Sequence, residues 1–370
     1  MASRWARYAL LLPALLLVLL ALPGAVAADT CACDPIQPFL VVDRFDETHV
    51  TYRHSDNPGI IYASNKTGSW VRTRLTSRLD EPYAIAVDAA QKVYIIFRRL
   101  TASDNLGFFM VSNRTGTWVT QHLATIHEDA YRVRIAVDPD RKIHLAWTTD
   151  LHAWYSTNET GTWTRQQLDQ YQGQNGLVAV DAQGHLHLLF NQCLNAEGSG
   201  TCEGSGIYYR TNRTGSWVTV RIAPQQQDTP EDLTTDGAGN VHVVFSREYW
   251  DQGKENTLPL GVFYVTNAGG TWRTLKAAGP GRMAQIERTP GGQIHIVYAH
   301  VDGNLGIFLA TLRNGVWYRS EVIPEYAFYP STGIESDGRL HIAFMRMAID
   351  PGIYHAVWQN GAWSRRELMD

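Results

Sequence analysis

The chain is poor in cysteine, in net charge and in long apolar runs. It carries 32 basic and 36 acidic side chains, a formal net charge of −4. That balance leaves no basic footprint for nucleic acid and no polybasic surface for membranes. Four cysteines permit three complete pairings, and spacing alone does not choose among them. After Leu22 no second membrane-length apolar segment occurs. No Walker loop, zinc spacing, EF-hand loop or Ser/His/Asp motif is present, so no cofactor and no metal is expected.

What the chain does have is a repeat. Trp70, Trp118, Trp163, Trp217, Trp272, Trp317 and Trp363 each follow a glycine by two residues. Six also follow a glycine by eleven, as with Gly59, Gly107 and Gly206, whereas the third copy has His152 there. The Trp spacings are 48, 45, 54, 55, 45 and 46 residues by subtraction. Such a period, built from short apolar runs, is the mark of a β-propeller.

Each unit reads as four strands. Asp232–Asp236, Val241–Phe245, Gly261–Thr266 and Thr271–Leu275 are rich in β-branched and aromatic residues, with Gly/Asn/Asp turns between them. Unit one runs from Phe39 and unit seven ends at Leu368, both complete in the same phase. The expectation is an all-β, seven-bladed propeller of four-stranded antiparallel blades over residues 38–370, with no strand exchanged between the termini.

Residues 1–28 read as a secretory signal: Arg4 and Arg7, an apolar run from Tyr8 to Leu22, then Ala25-Val26-Ala27-Ala28. Residues 29–37 form a short lead-in. The expected location is secreted or extracytoplasmic, with no membrane span once the signal is cleaved. Cys193 and Cys202 bracket a Gly/Ser-rich loop that a disulfide would staple in an oxidising compartment. The partners of Cys31 and Cys33, and the oligomeric state, stay open.

Two repeated patterns are read as structural. An acid stands six residues before a histidine in Asp43/His49, Asp138/His144, Asp181/His187, Asp236/His242 and Glu335/His341, with Asp88/Tyr94 and Thr289/His295 as variants. Spread around a ring, such pairs lock hairpins rather than form one site. The turn before the tryptophan, as in Ser64-Asn65-Lys66-Thr67-Gly68-Ser69-Trp70, has hairpin chemistry. The same chemistry explains the N-x-Thr pattern at Asn65, Asn113, Asn158 and Asn212 without glycosylation. This turn resembles the Asp-box (BNR) turn of sialidase-type propellers, with Asn near the Asp position and one residue fewer between Gly and Trp. The resemblance implies architecture, since the turn is structural in that family.

Strands alternate in direction, so the first and third turns of every unit share one face, which is nearly uniform. The second connections and blade-to-blade links share the other, which varies and holds the insertions Asn191–Ser205 and Ser246–Leu260. Function concentrates on variable loops over a rigid scaffold. The ligand-binding candidates there are Arg53, Arg98, Glu128, Tyr131, Arg132, Asp232, Arg247, Arg282, Tyr329 and Arg346. Arginine forks suit carboxylate or sulfate groups. The sequence supports an extracellular propeller that binds a glycan, another anionic ligand or a protein. The alternative is a carbohydrate-active enzyme on acidic sugars, a sialidase-like hydrolase or a polysaccharide lyase. Catalytic residues are not assignable from the sequence, so enzyme and binding protein both stay open.

Overall fold

A computed structural model describes residues 36–368 except 54–57, 101–104, 128, 171, 194–203, 252–255, 302–304, 348–350 and 360. The chain divides into Met1–Asp34 and Pro35–Asp370, and every described residue belongs to the second unit. The signal segment and the Cys31, Cys33 and Cys202 sulfurs lie outside the described residues.

The described chain is all-β. Blade one is β1 (Ile36–Val42), β2 (Thr48–Arg53), β3 (Ile60–Ser64) and β4 (Val71–Arg74). Blade two is β5 (Leu79–Val87), β6 (Val93–Leu100), β7 (Asn105–Ser112) and β8 (Val119–His122). Blade three is β9 (Tyr131–Val137), β10 (Ile143–Thr148), β11 (Ala153–Thr157) and β12 (Thr164–Gln167). Blade four is β13 (Gln172–Val180), β14 (Leu186–Cys193), β15 (Gly206–Thr211) and β16 (Val218–Ala223). Blade five is β17 (Asp228–Thr235), β18 (Val241–Asp251), β19 (Asn256–Thr266) and β20 (Arg273–Ala278). Blade six is β21 (Gly281–Arg288), β22 (Ile294–His300), β23 (Ile307–Arg313) and β24 (Val316–Ile323). Blade seven is β25 (Ala327–Ile334), β26 (Leu340–Arg346), β27 (Gly352–Gln359) and β28 (Ala362–Glu367). Each sheet pairs in chain order and antiparallel. First strands pack side by side around the ring, and β1 meets β25 to close it. The seven-bladed propeller without strand exchange is what the sequence predicts.

Aromatic pairs carry the blade interiors. Phe97/Phe109, Trp147/Trp154, Phe190/Tyr208, Phe245/Phe263, Tyr298/Phe308 and Phe344/Tyr354 stand directly opposite on second and third strands. All six are stacked, with ring centroids 5.4–6.4 Å apart. Such a pair contributes about 1 kcal/mol beyond its buried area.

The acid/histidine positions form a network near the uniform face. His49, His144, His187 and His242 place Nδ1 2.6–2.8 Å from the hydroxyls of Tyr62, Tyr155, Tyr209 and Tyr264. Their Nε2 atoms face Asp43, Asp138, Asp181 and Asp236 at 3.3–3.7 Å. Burial lowers all four histidine pKa values, so these rings are neutral at neutral pH. The outer tryptophan of the following blade then meets the same tyrosine edge-on, as in Tyr62–Trp118, Tyr155–Trp217, Tyr209–Trp272 and Tyr264–Trp317. At the closure, His355 takes the tyrosine's place against Trp70. One Asp–His–Tyr–Trp chain therefore ties each of these blades to the next.

The turns before the tryptophans also have a physical account. Asn65, Asn113, Asn158, Asn212 and Asn267 each accept the first amide of a second strand through Oδ1, at 2.6–2.8 Å. The glycine two residues before each tryptophan is left-handed in all seven copies, with φ 77–96°.

Two expectations need correction. First strands begin earlier than the apolar pattern indicates: β17 starts at Asp228 and β25 at Ala327. Consequently the candidates Tyr131, Arg132, Arg282 and Tyr329 sit inside first strands, not in the links, together with Asp80, Tyr83, Asp228 and Glu231. A β-bulge near the start of every first strand breaks the alternation and hides this half of the strand. Finally, the insertion after Ser246 is no loose loop but a continuation of β18 and β19 as a long ribbon.

Candidate functional site on the variable face

The second strands end, and the first strands begin, on the variable face. Arg53, Arg98, Arg247 and Arg346 all stand at or near second-strand ends, hence on that one face. Glu128 lies outside the described residues, as does Tyr171.

Most of these arginines are already neutralised. Arg98 donates to Glu81 at 2.6 Å, and Arg53 approaches the same carboxylate at 3.8 Å. Arg247 forks onto Asp228 at 2.5 and 2.9 Å. Arg282 pairs with Glu248. Arg346 differs: it is 9 % exposed, lies over the Tyr354 ring, and has no carboxylate partner among the described residues. Tyr329 carries a left-handed backbone at φ 53° and packs against the blade-one core. The contacts thus split the candidates into separate groups around the rim rather than one arginine cluster.

The channel holds a second group, and part of it escaped the sequence reading. Arg134, Glu231, Asp232 and Glu287 are enclosed by first strands of blades three, five and six, Glu231 buried and the other three partly so. Burial raises Asp232 to about 6, with the Ile286 amide and the charges of Arg134 and Glu231 acting on it. Burial, then the charge of Asp232, raises Glu287 to about 8. Asp232 accepts the Ile286 amide at 3.0 Å, and Glu287 accepts the Thr332 hydroxyl at 2.9 Å. In the same edge position Ser331 accepts the Leu40 amide at 2.8 Å. Asp232 therefore has a blade-clamping role that a smaller polar residue fills elsewhere. Arg134 and Glu287 gave no signal because they alternate with apolar residues as any strand face does.

The largest departure from the repeat is at blade three. In four other copies, at Gly59, Gly206, Gly261 and Gly306, the glycine eleven residues before the tryptophan lets a backbone carbonyl approach closely. A Cβ at Gly59 or Gly206 would lie 2.1 Å from the Thr76 or Ala223 oxygen. His152 cannot accept that approach. Instead its Nδ1 meets Asp169 at 2.9 Å, and Asp169 also accepts the Ala153 amide at 2.7 Å. The local rearrangement opens a groove. One cavity of about 350 Å³ is lined by His127, Asp129, Trp147, Thr149, Asp150, Leu151, His152, Trp154 and Arg165. A second of about 250 Å³ shares Asp150 and Leu151 and continues over Gln172–Gln174, Asn191–Cys193 and Gln226.

The groove is preorganised. Arg132 donates to Asn175 Oδ1 at 2.5 Å, Asn175 donates to Asn191 Oδ1 at 3.3 Å, and the Gln174 amide nitrogen donates to the same oxygen at 3.2 Å. Gln174 Nε2 donates to the Asp150 carbonyl at 3.0 Å. Arg132 and Asn175 both hold left-handed backbone, φ 52° and 56°, at the bulges. Tyr131 stands beside Asp150, and burial raises its pKa. His127 and Asp129 pair at 2.6 Å, largely exposed at the rim. Trp147 is fully buried with its indole nitrogen unpartnered. Side-chain amides, a carboxylate and indole rings are the groups that bind sugar hydroxyls and C–H faces.

Asp43, Glu47 and His49 bring ligand-type atoms within 4.8 Å of one another on the uniform face. Gln91 already donates to both carboxylates at 3.1 and 2.6 Å, and Lys66 lies 3.4 Å from Glu47. The position of a cation is thus taken by side-chain donors. A recess of about 430 Å³ on that face is formed by turn residues of blades six and seven.

No family model matches the chain, and no curated protein matches it. Solved structures do resemble it. An ulvan lyase bound to a saccharide of glucuronic acid and sulfated rhamnose aligns with TM-score 0.65 and 12% identity, over 91% of this chain and 97% of that one. A second polysaccharide lyase aligns with TM-score 0.57 and 12% identity, over 90% and 91%. A protein of unknown function from Dyadobacter fermentans aligns with TM-score 0.52 and 11% identity, over 88% and 94%. At such identities the likeness is one of fold.

Proposed function

We propose that this chain is an extracellular glycan-binding propeller whose ligand lies in the groove over blades three and four. The observation that carries the reading is the pair of adjoining recesses that share Asp150 and Leu151, one lined by tryptophans where the blade-three repeat rule breaks and the other by side-chain amides. Carbohydrate-related propellers among the structural neighbours are consistent with it. Export follows from the residue 1–28 pattern, and a Cys193–Cys202 disulfide would hold the far edge of the groove. The Asp-box-like turns are assigned to architecture alone. Testing requires a glycan array on the mature chain, followed by titration of any hit against Trp154→Ala. Specific hits that Trp154→Ala weakens support the reading; hits untouched by it, or no hits, count against it.

A second reading, an enzyme acting on acidic sugars, draws on one observation. The His127–Asp129 pair borders the groove with Tyr131 and Asp150 nearby, a set able to move protons. Release of unsaturated or reducing ends from an array hit, lost in His127→Ala, would favour it. Binding with no product would favour the non-catalytic reading.

A further inference from the structure

Three arginines occupy one register position in three blades. Arg99 stands opposite Asp80, Arg247 opposite Asp228, and Arg346 opposite Ala327, each pairing a second strand with the first strand of its own blade. All three lie over aromatic rings of the stacked pairs: Arg99 over Phe109 at 4.5 Å, Arg247 over Phe263 at 4.5 Å, Arg346 over Tyr354 at 5.4 Å.

The first two are forked. Arg99 donates Nε and Nη2 to Asp80 at 3.0 and 3.1 Å, and Arg247 repeats the geometry on Asp228. Both aspartates are wholly buried. Blade seven keeps the arginine and the ring but replaces the carboxylate with the methyl of Ala327, which is itself wholly buried. The Arg346 side chain is nine-tenths buried, its Nε has no hydrogen-bond partner, and no ion pair reaches it among the described residues. A guanidinium so enclosed, with no carboxylate on it among the described residues, is costly unless an anion reaches it. The planar fork matches a carboxylate or sulfate in the way Asp80 and Asp228 show.

We propose that Arg346 is an oxyanion-binding site at the blade-seven rim, taking from a ligand the carboxylate or sulfate that blades two and five build in. Tyr326, 41 % exposed and edge-on to Phe328 at 4.7 Å, lies beside it in the chain link and offers a ring face to a sugar-borne anion. The shared chemistry is an oxyanion, whether free or carried on a sugar. This site is separate from the groove over blades three and four and stands without it.

The test is a titration of the mature chain with sodium sulfate and with glucuronate at constant ionic strength, using chloride and glucose as controls. Wild type, Arg346→Gln and Ala327→Asp are compared by calorimetry and thermal melting. Ala327→Asp rebuilds the internal fork, so it should melt at or above wild type without sulfate and lose the saturable anion response. Arg346→Gln should weaken anion binding at least tenfold while leaving groove binding of a neutral array hit intact. Binding of sulfate alone identifies a free anion as the ligand, and stronger binding of glucuronate identifies a sugar-borne one. Equal anion binding in all three proteins, or none in wild type, overturns the proposal. A loss of groove binding elsewhere would leave this result unchanged.

Discussion

The two faces of the ring are built from the same strands but solve opposite problems. On the uniform face the same pairings recur from blade to blade: asparagine to strand amide, histidine to tyrosine and aspartate, tyrosine to the next blade's tryptophan. On the variable face the same repeat positions are filled differently from blade to blade. Asp228 neutralises Arg247 while Ala327 offers Arg346 no carboxylate, and His152 stands where glycine is the rule. Repetition therefore marks what holds the ring together, and its failures mark where a ligand has something to bind. The lesson is that the informative residues of a propeller are the exceptions at otherwise repeated positions.

The comparison is broken most strongly by making one blade imitate another. Asp228→Ala reproduces the blade-seven arrangement in blade five. Stranding a buried arginine should cost about 3 kcal/mol or more in chemical denaturation. Sulfate should recover part of that loss, more than it stabilises wild type. Next in size is His187→Ala on the uniform face. It strands the buried Tyr209 hydroxyl, while Asp181 keeps its bonds from Gln183 and His185, so about 1–2 kcal/mol of stability should be lost, with groove binding unchanged. Trp154→Ala should do the reverse, weakening a groove ligand roughly tenfold, about 1.4 kcal/mol.

Acidity separates the regions further. Burial lowers His295 and His341 to about 4. Since their unfolded values are near 6.5, the unfolded chain binds more protons between those limits. Stability from these residues is complete above about pH 6.5 and lost as pH falls towards 4. Glu287 has the opposite sign. Its pKa is raised to about 8, so its contribution is complete below about pH 4.5 and gone above about pH 8. Glu287→Gln should therefore stabilise the ring above about pH 8, on the order of 1 kcal/mol once discounted for its partial exposure, and change little near pH 4.5. Melting curves across this range read both effects.

Much of the ring was legible because its signals are local. Tryptophan spacing, left-handed glycines and β-branched runs fix blade number and phase without any long-range information. The acid/histidine pairs were legible as structure for the same reason, although their tyrosine and tryptophan partners were not. Those partners come from the third strand of the same blade and the outer strand of the next. The site was less legible. The arginines could be placed on one face, but not their carboxylates, because the bulge around Arg132, Asn175, Met283 and Tyr329 disguises the first half of each inner strand. Asp80 and Asp228 then look like link residues. His152 was visible as a break in a pattern, yet only the cavity beside it gives the break a meaning.

Hydrogen–deuterium exchange of the mature chain, with and without a saturating array-identified oligosaccharide, tests the assignment of function to the exceptions most directly. The account predicts slowed exchange at residues 149–154, 172–176 and 191–193, with the turns at Asn65, Asn158 and Asn212 unaffected. Slowed exchange confined to those turns, or equal in every blade, would contradict it.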